Sequence, residues 1–254
     1  MQKIFDSHFH IIDPGYPLFE NQGFLPDFFT VEEYQSKVSD FGIELVGGVV
    51  VSGSFQGFDC SYFQGALDKL GATFVGVTQL NPYTKDEEIL RLDRLGIKGI
   101  RFNLFRGLSA SVQDMRELAH RVYCLCGWKT ELYVDASKID EQLATFIFEL
   151  PKVSIDHLGM RKCQIERLEQ FVSGGIPIRV TGFGRVDYSR DEVQDLLIAL
   201  YKANPQALIF GTDMPSTRAK YPFSLEDLTL IKESLGEEKA QDVLYKNGVA
   251  WYLS

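Results

Sequence analysis

The chain is short of the residues that mark specialised protein classes. Cysteine occurs four times in 254 residues, as Cys60, Cys124, Cys126 and Cys163, at irregular spacings unlike those of a secreted disulfide framework. Cys124 and Cys126 fall in a stretch of helical period, where positions two apart point to different faces, so all four are expected as reduced thiols without a zinc or redox role. No segment reaches about 18 consecutive apolar residues, and the start Met1–Asp6 has no signal-peptide pattern, so no membrane partner and a cytoplasmic location are expected. Bases are outnumbered, 26 Lys and Arg against 35 Asp and Glu, and the net charge of −9 repels polyphosphate, which argues against nucleic acid as a partner. Low-complexity tracts, charge blocks and linkers rich in Pro, Gly or Ser are also missing. Histidine is scarce too, with four in the chain.

What is present describes a folded globular chain. With 45% apolar and 24% charged residues, 254 positions suffice to bury a core without disulfides or a structural metal. Eight β-rich runs recur, at 3–9, 44–51, 73–78, 97–102, 131–134, 152–155, 176–181 and 207–211. Helical periodicity fills the stretches near 31–41, 60–70, 84–95, 110–126, 137–149, 163–173, 189–203 and 223–235, with a last one near 238–252. Thr30–Glu33 and Thr84–Glu87 read as capping boxes that open two of these helices. Strands alternating with helices imply right-handed parallel crossovers, and eight such units close into a single-domain (β/α)8 TIM barrel spanning residues 1–254. A doubly wound open sheet would favour a Gly-rich phosphate turn after its first strand, and here that place is His8-Phe9-His10.

In a barrel the site lies at the C-terminal ends of the strands, so polar residues there are the candidates. The first strand ends Asp6-Ser7-His8-Phe9-His10, and period-two alternation turns Asp6, His8 and His10 to one side. The sixth run ends Asp156-His157-Leu158-Gly159 and the eighth Gly211-Thr212-Asp213-Met214-Pro215, so three of the four histidines stand at strand ends. His120, inside a helix beside Arg121, reads as structural. Arg101, Arg106 and Arg185 lie on or after the fourth and seventh strands of an acidic chain, and a guanidinium fork matches a carboxylate with two parallel hydrogen bonds. The alternative is that these arginines brace loops through acids such as Asp156 and Asp187. Asp13–Phe29 is too long for a plain βα turn and is expected to fold over the mouth, with Met214–Pro222 covering the other side.

These motifs, in this order, resemble the amidohydrolase superfamily, in the amidohydrolase-2 branch typified by 2-pyrone-4,6-dicarboxylate lactonase. Asn81-Pro82, Gly99–Asn103, the Val49–Asp59 loop, Gly182-Phe183-Gly184-Arg185 and Asn247 extend the likeness over nearly the whole chain. Two-metal amidohydrolases use a carbamylated lysine at strand four and a histidine at strand five; Arg101 and Tyr133 stand there, so a binuclear site is not expected. The resemblance implies a lactonase that needs no bound metal, although related decarboxylases and some lactonases hold one zinc on a similar set. Tyr133 resembles a lactonase tyrosine that contacts substrate. Where those lactonases carry an arginine directly after His-Leu-Gly, this chain has Met160, with Arg161 next, which bears on the substrate.

Hydrolysis of a lactone or amide needs a base for water and donors for the developing oxyanion. Asp213 is the candidate base, with His8, His10 and His157 as carbonyl-polarising groups and Arg101, Arg106, Arg185 and Tyr133 as substrate-binding groups. The same His8, His10, His157 and Asp213 suit one Zn²⁺. Three readings follow. The first is a lactonase acting on a small anionic, carboxylate-bearing cyclic ester without a required cofactor. The second is a zinc-dependent hydrolase or decarboxylase, and the third an inactive small-molecule binding protein. The sequence leaves open whether the chain is a monomer or a homo-oligomer.

Overall fold

The computed structural model describes residues 1–106 and 110–254. Eight parallel strands, β1 (Gln2–Phe9), β2 (Ile43–Val51), β3 (Phe74–Thr78), β4 (Ile97–Asn103), β5 (Lys129–Tyr133), β6 (Val153–Ile155), β7 (Ile178–Val180) and β8 (Leu208–Phe210), pair in sequence order. The barrel is closed just past the end of β8, where Asp213 N donates to His8 O at 2.7 Å and His10 N donates to Met214 O at 2.8 Å. These two bonds join the ends that carry the candidate histidines and carboxylate.

Helices α1 (Val31–Asp40), α2 (Tyr62–Leu70), α3 (Asp86–Arg94), α4 (Val112–Cys126), α5 (Glu141–Glu149), α6 (Ile165–Ser173), α7 (Arg190–Ala203) and α8 (Leu225–Leu235) form the outer ring. The expected last helix is α9 (Glu237–Gln241), a π turn at Asp242–Lys246 and α10 (Asn247–Tyr252) in one continuous run. The main core lies between strands and helices. A smaller cluster inside the barrel joins Phe5, Val49, Val51, Val75 and Val77 with Tyr252. Val and Phe at alternate strand positions fill the interior because period two sends every second side chain inward.

The Thr30–Glu33 capping box opens α1 as expected, with Thr30 N donating to the Glu33 carboxylate at 2.7 Å. Thr84–Glu87 does not form one. Thr84 Oγ1 donates to Asn81 O at 2.8 Å in a turn over 81–84, and α3 starts at Asp86 with Lys85 before it. A local turn captured the hydroxyl that a cap would have used. A bulge in β1 between Asp6 and Phe9 corrects the alternation expected there. Asp6 turns away from His8 and His10 and accepts from Thr212 N at 2.8 Å, Thr212 Oγ1 at 2.7 Å and Tyr34 Oη of α1 at 3.0 Å. It ties β1 to β8 and α1 instead of facing the mouth.

Candidate active site

The bulge that displaces Asp6 is what points His8 up the barrel, and His10 follows it past the strand end. Both are buried, as are His157 and Asp213. Asp213 Oδ1 lies 3.8 Å from His8 Nε2 and 3.6 Å from His10 Nε2. His8 and His157 stack edge to face with ring centres 4.7 Å apart. His10 Nδ1 sits 2.7 Å from Val51 O, and because a carbonyl only accepts, this nitrogen carries a proton. His157 Nδ1 is 2.7 Å from the Thr181 hydroxyl. Both ring nitrogens of His8, Nε2 of His157 and both oxygens of Asp213 lack hydrogen-bond partners among the described residues. Buried polar atoms left this way are exceptional and call for a partner such as water, an ion or substrate.

His157 and Asp213 have φ of 49° and 58°, in the left-handed region that non-glycine residues rarely occupy. Such backbone persists where the surroundings enforce it, commonly at working sites. The strand-to-loop turns there present each side chain inward. Gly182, also left-handed at φ +64°, leaves room for them, since a Cβ there would lie 2.7 Å from His157 Nδ1.

Electrostatics separate the site's acid from its bases. Burial would raise the pKa of Asp213, but Arg185, then His157 and His10, outweigh it and hold the carboxyl at about 2. Arg185 Nε lies 2.5 Å from Asp213 Oδ2. The Nε–H is not aimed at that oxygen, so this is a charge contact and not a hydrogen bond. Burial pushes His157 down to about 3 against the pull of Asp213. His8 is held well below its ordinary value by burial and by the charges of His157 and Arg101. At neutral pH the centre therefore holds an ionised carboxylate with His8 and His157 as neutral imidazoles.

Beneath these groups runs an ionic layer of which the sequence reading picked out only Arg101 and Asp156. Asp156 accepts from Arg101 Nε at 2.9 Å and Arg179 Nε at 3.0 Å. Arg179 also reaches Glu131 at 2.6 Å and bonds the Tyr252 hydroxyl. Arg101 pairs with Asp156, the alternative to its expected place on substrate, and also stacks over Tyr133 at 4.8 Å. Arg106 does not pair with Asp187, which Arg161 takes. Its Nε reaches Tyr133 Oη at 3.4 Å, its Nη1 reaches Gln22 Oε1 at 3.4 Å, and its backbone N donates to Asn103 Oδ1 at 2.8 Å. Met160 is buried and its place offers no charge to the mouth.

Arg101, Arg106, Arg185 and Tyr133 line one cavity with His10 and Asn103, and Arg218 joins them from the loop after β8. Sequence reasoning missed Arg218; the basic residue inside the covering segment 214–222 was the available signal. The free volume of this cavity is about 20 Å³, roughly one water. Asn247 lies elsewhere, its Nδ2 donating to Pro205 O and Leu208 O, while His120 Nε2 lies 3.2 Å from Glu149 O on the outer ring.

For a metal, the described residues offer two groups. His8, His10 and Asp213 present ligand atoms within 4.8 Å of one another, and so do His8, Asp156 and His157. The expected set of His8, His10, His157 and Asp213 is thus divided between the two groups, with His8 common to both. The second group is poorly suited, because both Asp156 oxygens are already bonded to arginine. The first fits one divalent ion, with Arg185 occupying the far carboxylate oxygen.

Comparison with known proteins agrees with this architecture. A 2-pyrone-4,6-dicarboxylate hydrolase of Comamonas testosteroni is 27% identical over 159 residues, which are 61% of this chain and 51% of that protein. The chain thus spans about half the length of the curated relative it matches. A solved structure of a probable 2-pyrone-4,6-dicarboxylic acid hydrolase from Acinetobacter baumannii, with citric acid bound, superposes with a TM-score of 0.80 at 22% identity and 99% coverage of both chains. A putative 2-pyrone-4,6-dicarboxylic acid hydrolase from Pseudomonas putida gives a TM-score of 0.83 at 20% identity, covering 98% of this chain and 97% of that one. The amidohydrolase family model matches residues 5–253, and the chain belongs to that family.

Proposed function

We propose that the protein is a hydrolase of the lactonase type that opens a carboxylate-bearing cyclic ester, with Asp213 as general base. The observation that carries this reading is the arrangement of Asp213. One oxygen faces His8 and His10, the other faces Arg185, and an arginine-lined cavity adjoins the site. Relatives named for a pyrone dicarboxylate, one with citric acid bound, agree with a substrate bearing carboxylates. The free cysteines agree with a cytoplasmic, reducing setting.

Asp213 Oδ1 takes a proton from water as the water oxygen bonds to the ester carbonyl carbon. The carbonyl oxygen gains negative charge, and N–H groups of His8 and His157 donate to it. If Thr181 donates its hydroxyl to Nδ1 of His157, the ring proton is left on Nε2, the free nitrogen. Collapse of the tetrahedral species breaks the ring C–O bond, and Asp213 returns the proton to the departing oxygen. A carboxyl held at about 2 is a weak base. A substrate carboxylate on Arg185 would share the guanidinium, loosen its hold on Asp213 and raise the basicity of Oδ1. Substrate binding would thus arm the base.

A second reading is favoured by the unpartnered donors of His8 and Asp213. His8, His10 and Asp213 would hold one zinc ion, which when bound supplies Lewis-acid polarisation and a lowered water pKa. Arg185 and Tyr133 would still orient the substrate. Metal content by mass spectrometry, with 2-pyrone-4,6-dicarboxylate turnover measured before and after chelation, separates the two. Turnover that survives chelation supports the first reading. One tightly held zinc whose removal abolishes turnover supports the second, and no lactone turnover in either state overturns both as lactonases.

A further inference from the structure

Of the four arginines lining the cavity, two are neutralised from behind, Arg101 by Asp156 and Arg185 by Asp213. Arg106 and Arg218 have no acidic partner among the described residues, and no acid lines the cavity they share. Their side chains rest on neutral acceptors of the cover, Arg106 on Gln22 Oε1 and Arg218 on Asn21 O. Arg218 also lies over the Phe24 ring at 4.2 Å. Two uncompensated guanidinium groups facing one cavity leave room for two negative charges.

We propose that Arg218 is a specificity-determining residue that binds the second carboxylate of a dianionic substrate, leaving Asn21 to do so. The inference rests on the reading of the site as one for a carboxylated cyclic ester. Met160 brings no charge to the mouth from the β6 side, so with one anion on Arg106 the loop after β8 supplies the cation for the second. That loop is built to hold a side chain in place. Ser216 N donates to Asp213 O at 2.6 Å, Phe223 N donates to Ser216 Oγ at 3.0 Å, and Lys220 N donates to Gly184 O at 2.7 Å. Thr217 Oγ1 accepts from Arg185 at 2.9 Å, which ties the backbone next to Arg218 to the charge beside Asp213. Burial, then the charges of Arg106 and Arg185, pull the Arg218 pKa down, as expected for a cation without a counter-ion. A carboxylate arriving there relieves that repulsion and competes with the cover for the same guanidinium.

The test is calorimetric binding of isophthalate and benzoate, two unreactive ring acids with two and one carboxylates, to the full chain and to Arg218→Gln and Arg218→Lys. The wild type should prefer isophthalate. Arg218→Gln should lose about tenfold in isophthalate affinity, about 1.4 kcal/mol, with benzoate changed less than about twofold, and Arg218→Lys should recover part of the loss. Equal losses on both acids would make Arg218 a latch for the cover only, and an unchanged isophthalate affinity, or no wild-type preference, would equally overturn the proposal. Turnover of 2-pyrone-4,6-dicarboxylate measured alongside keeps the two readings apart. No turnover with a charge-selective loss in Arg218→Gln sinks the lactonase reading and leaves this one standing, whereas turnover with no selective loss does the reverse.

Discussion

Arg185 Nε stands 2.5 Å from Asp213 Oδ2, while the other oxygen of the same carboxylate faces His8 and His10 at 3.8 and 3.6 Å. One carboxylate is thereby shared between a permanent cation and two imidazoles. That division lets it stay ionised in a fully buried setting and keep one oxygen for chemistry.

Asp213→Asn keeps the shape and removes the base. Turnover of 2-pyrone-4,6-dicarboxylate, followed by loss of its ultraviolet absorbance, should fall by about 10²–10⁴, the usual contribution of a general base. Isophthalate binding should persist, because the arginines remain. A variant with near wild-type turnover would remove Asp213 from the mechanism.

Arg101 and Arg106 look alike in sequence and should fail differently. Arg101→Met leaves Asp156 buried with one cation fewer, and urea unfolding should show a loss of about 3 kcal/mol. Among the described residues Arg106→Met loses long contacts to Tyr133 and Gln22 and a place over the Phe105 ring, with no buried acid left behind. Its stability should stay within about 0.5 kcal/mol of wild type while KM rises. Equal unfolding free energies for the two variants would contradict this division.

The pH dependence of stability follows from the buried imidazoles. Burial pushes His157 down to about 3 in the folded chain from the ordinary 6.5 of the unfolded one, so its contribution is fully present above 6.5 and is lost as pH falls towards 3, because the unfolded chain binds the proton first. Between pH 7.5 and pH 5 this one residue should cost about 2 kcal/mol. Urea titrations with chelator present should show a shallower decline for His157→Gln than for wild type. Parallel declines would mean that the imidazole is not held neutral.

Gly182→Ala places a methyl 2.7 Å from His157 Nδ1 and forces a left-handed φ on a residue with a side chain. The variant should lose about 1 kcal/mol or more of stability. Displacing the imidazole from Thr181 should cost turnover by up to about 10². Wild-type turnover in a folded Gly182→Ala would show that the ring position is unimportant.

Much of this architecture is legible in the chain. Eight short β-rich runs separated by helical periods specify the alternation, because burial on both faces demands continuous apolar strands and amphipathic helices between them. Asp213, His8, His10 and His157 stand out by being polar where strands end, and the barrel brings them to one mouth. The bulge in β1, the partners of each arginine and the place of Arg218 were not legible. Register along a strand depends on its neighbour, and whether a guanidinium meets an acid or an empty cavity depends on elements as far apart as Arg101 and Asp156. The local pattern of side chains thus determined the barrel and its polar rim. Only tertiary packing decided which charges neutralise each other and which are left facing the cavity, because pairing is set by distance in space and not by spacing along the chain.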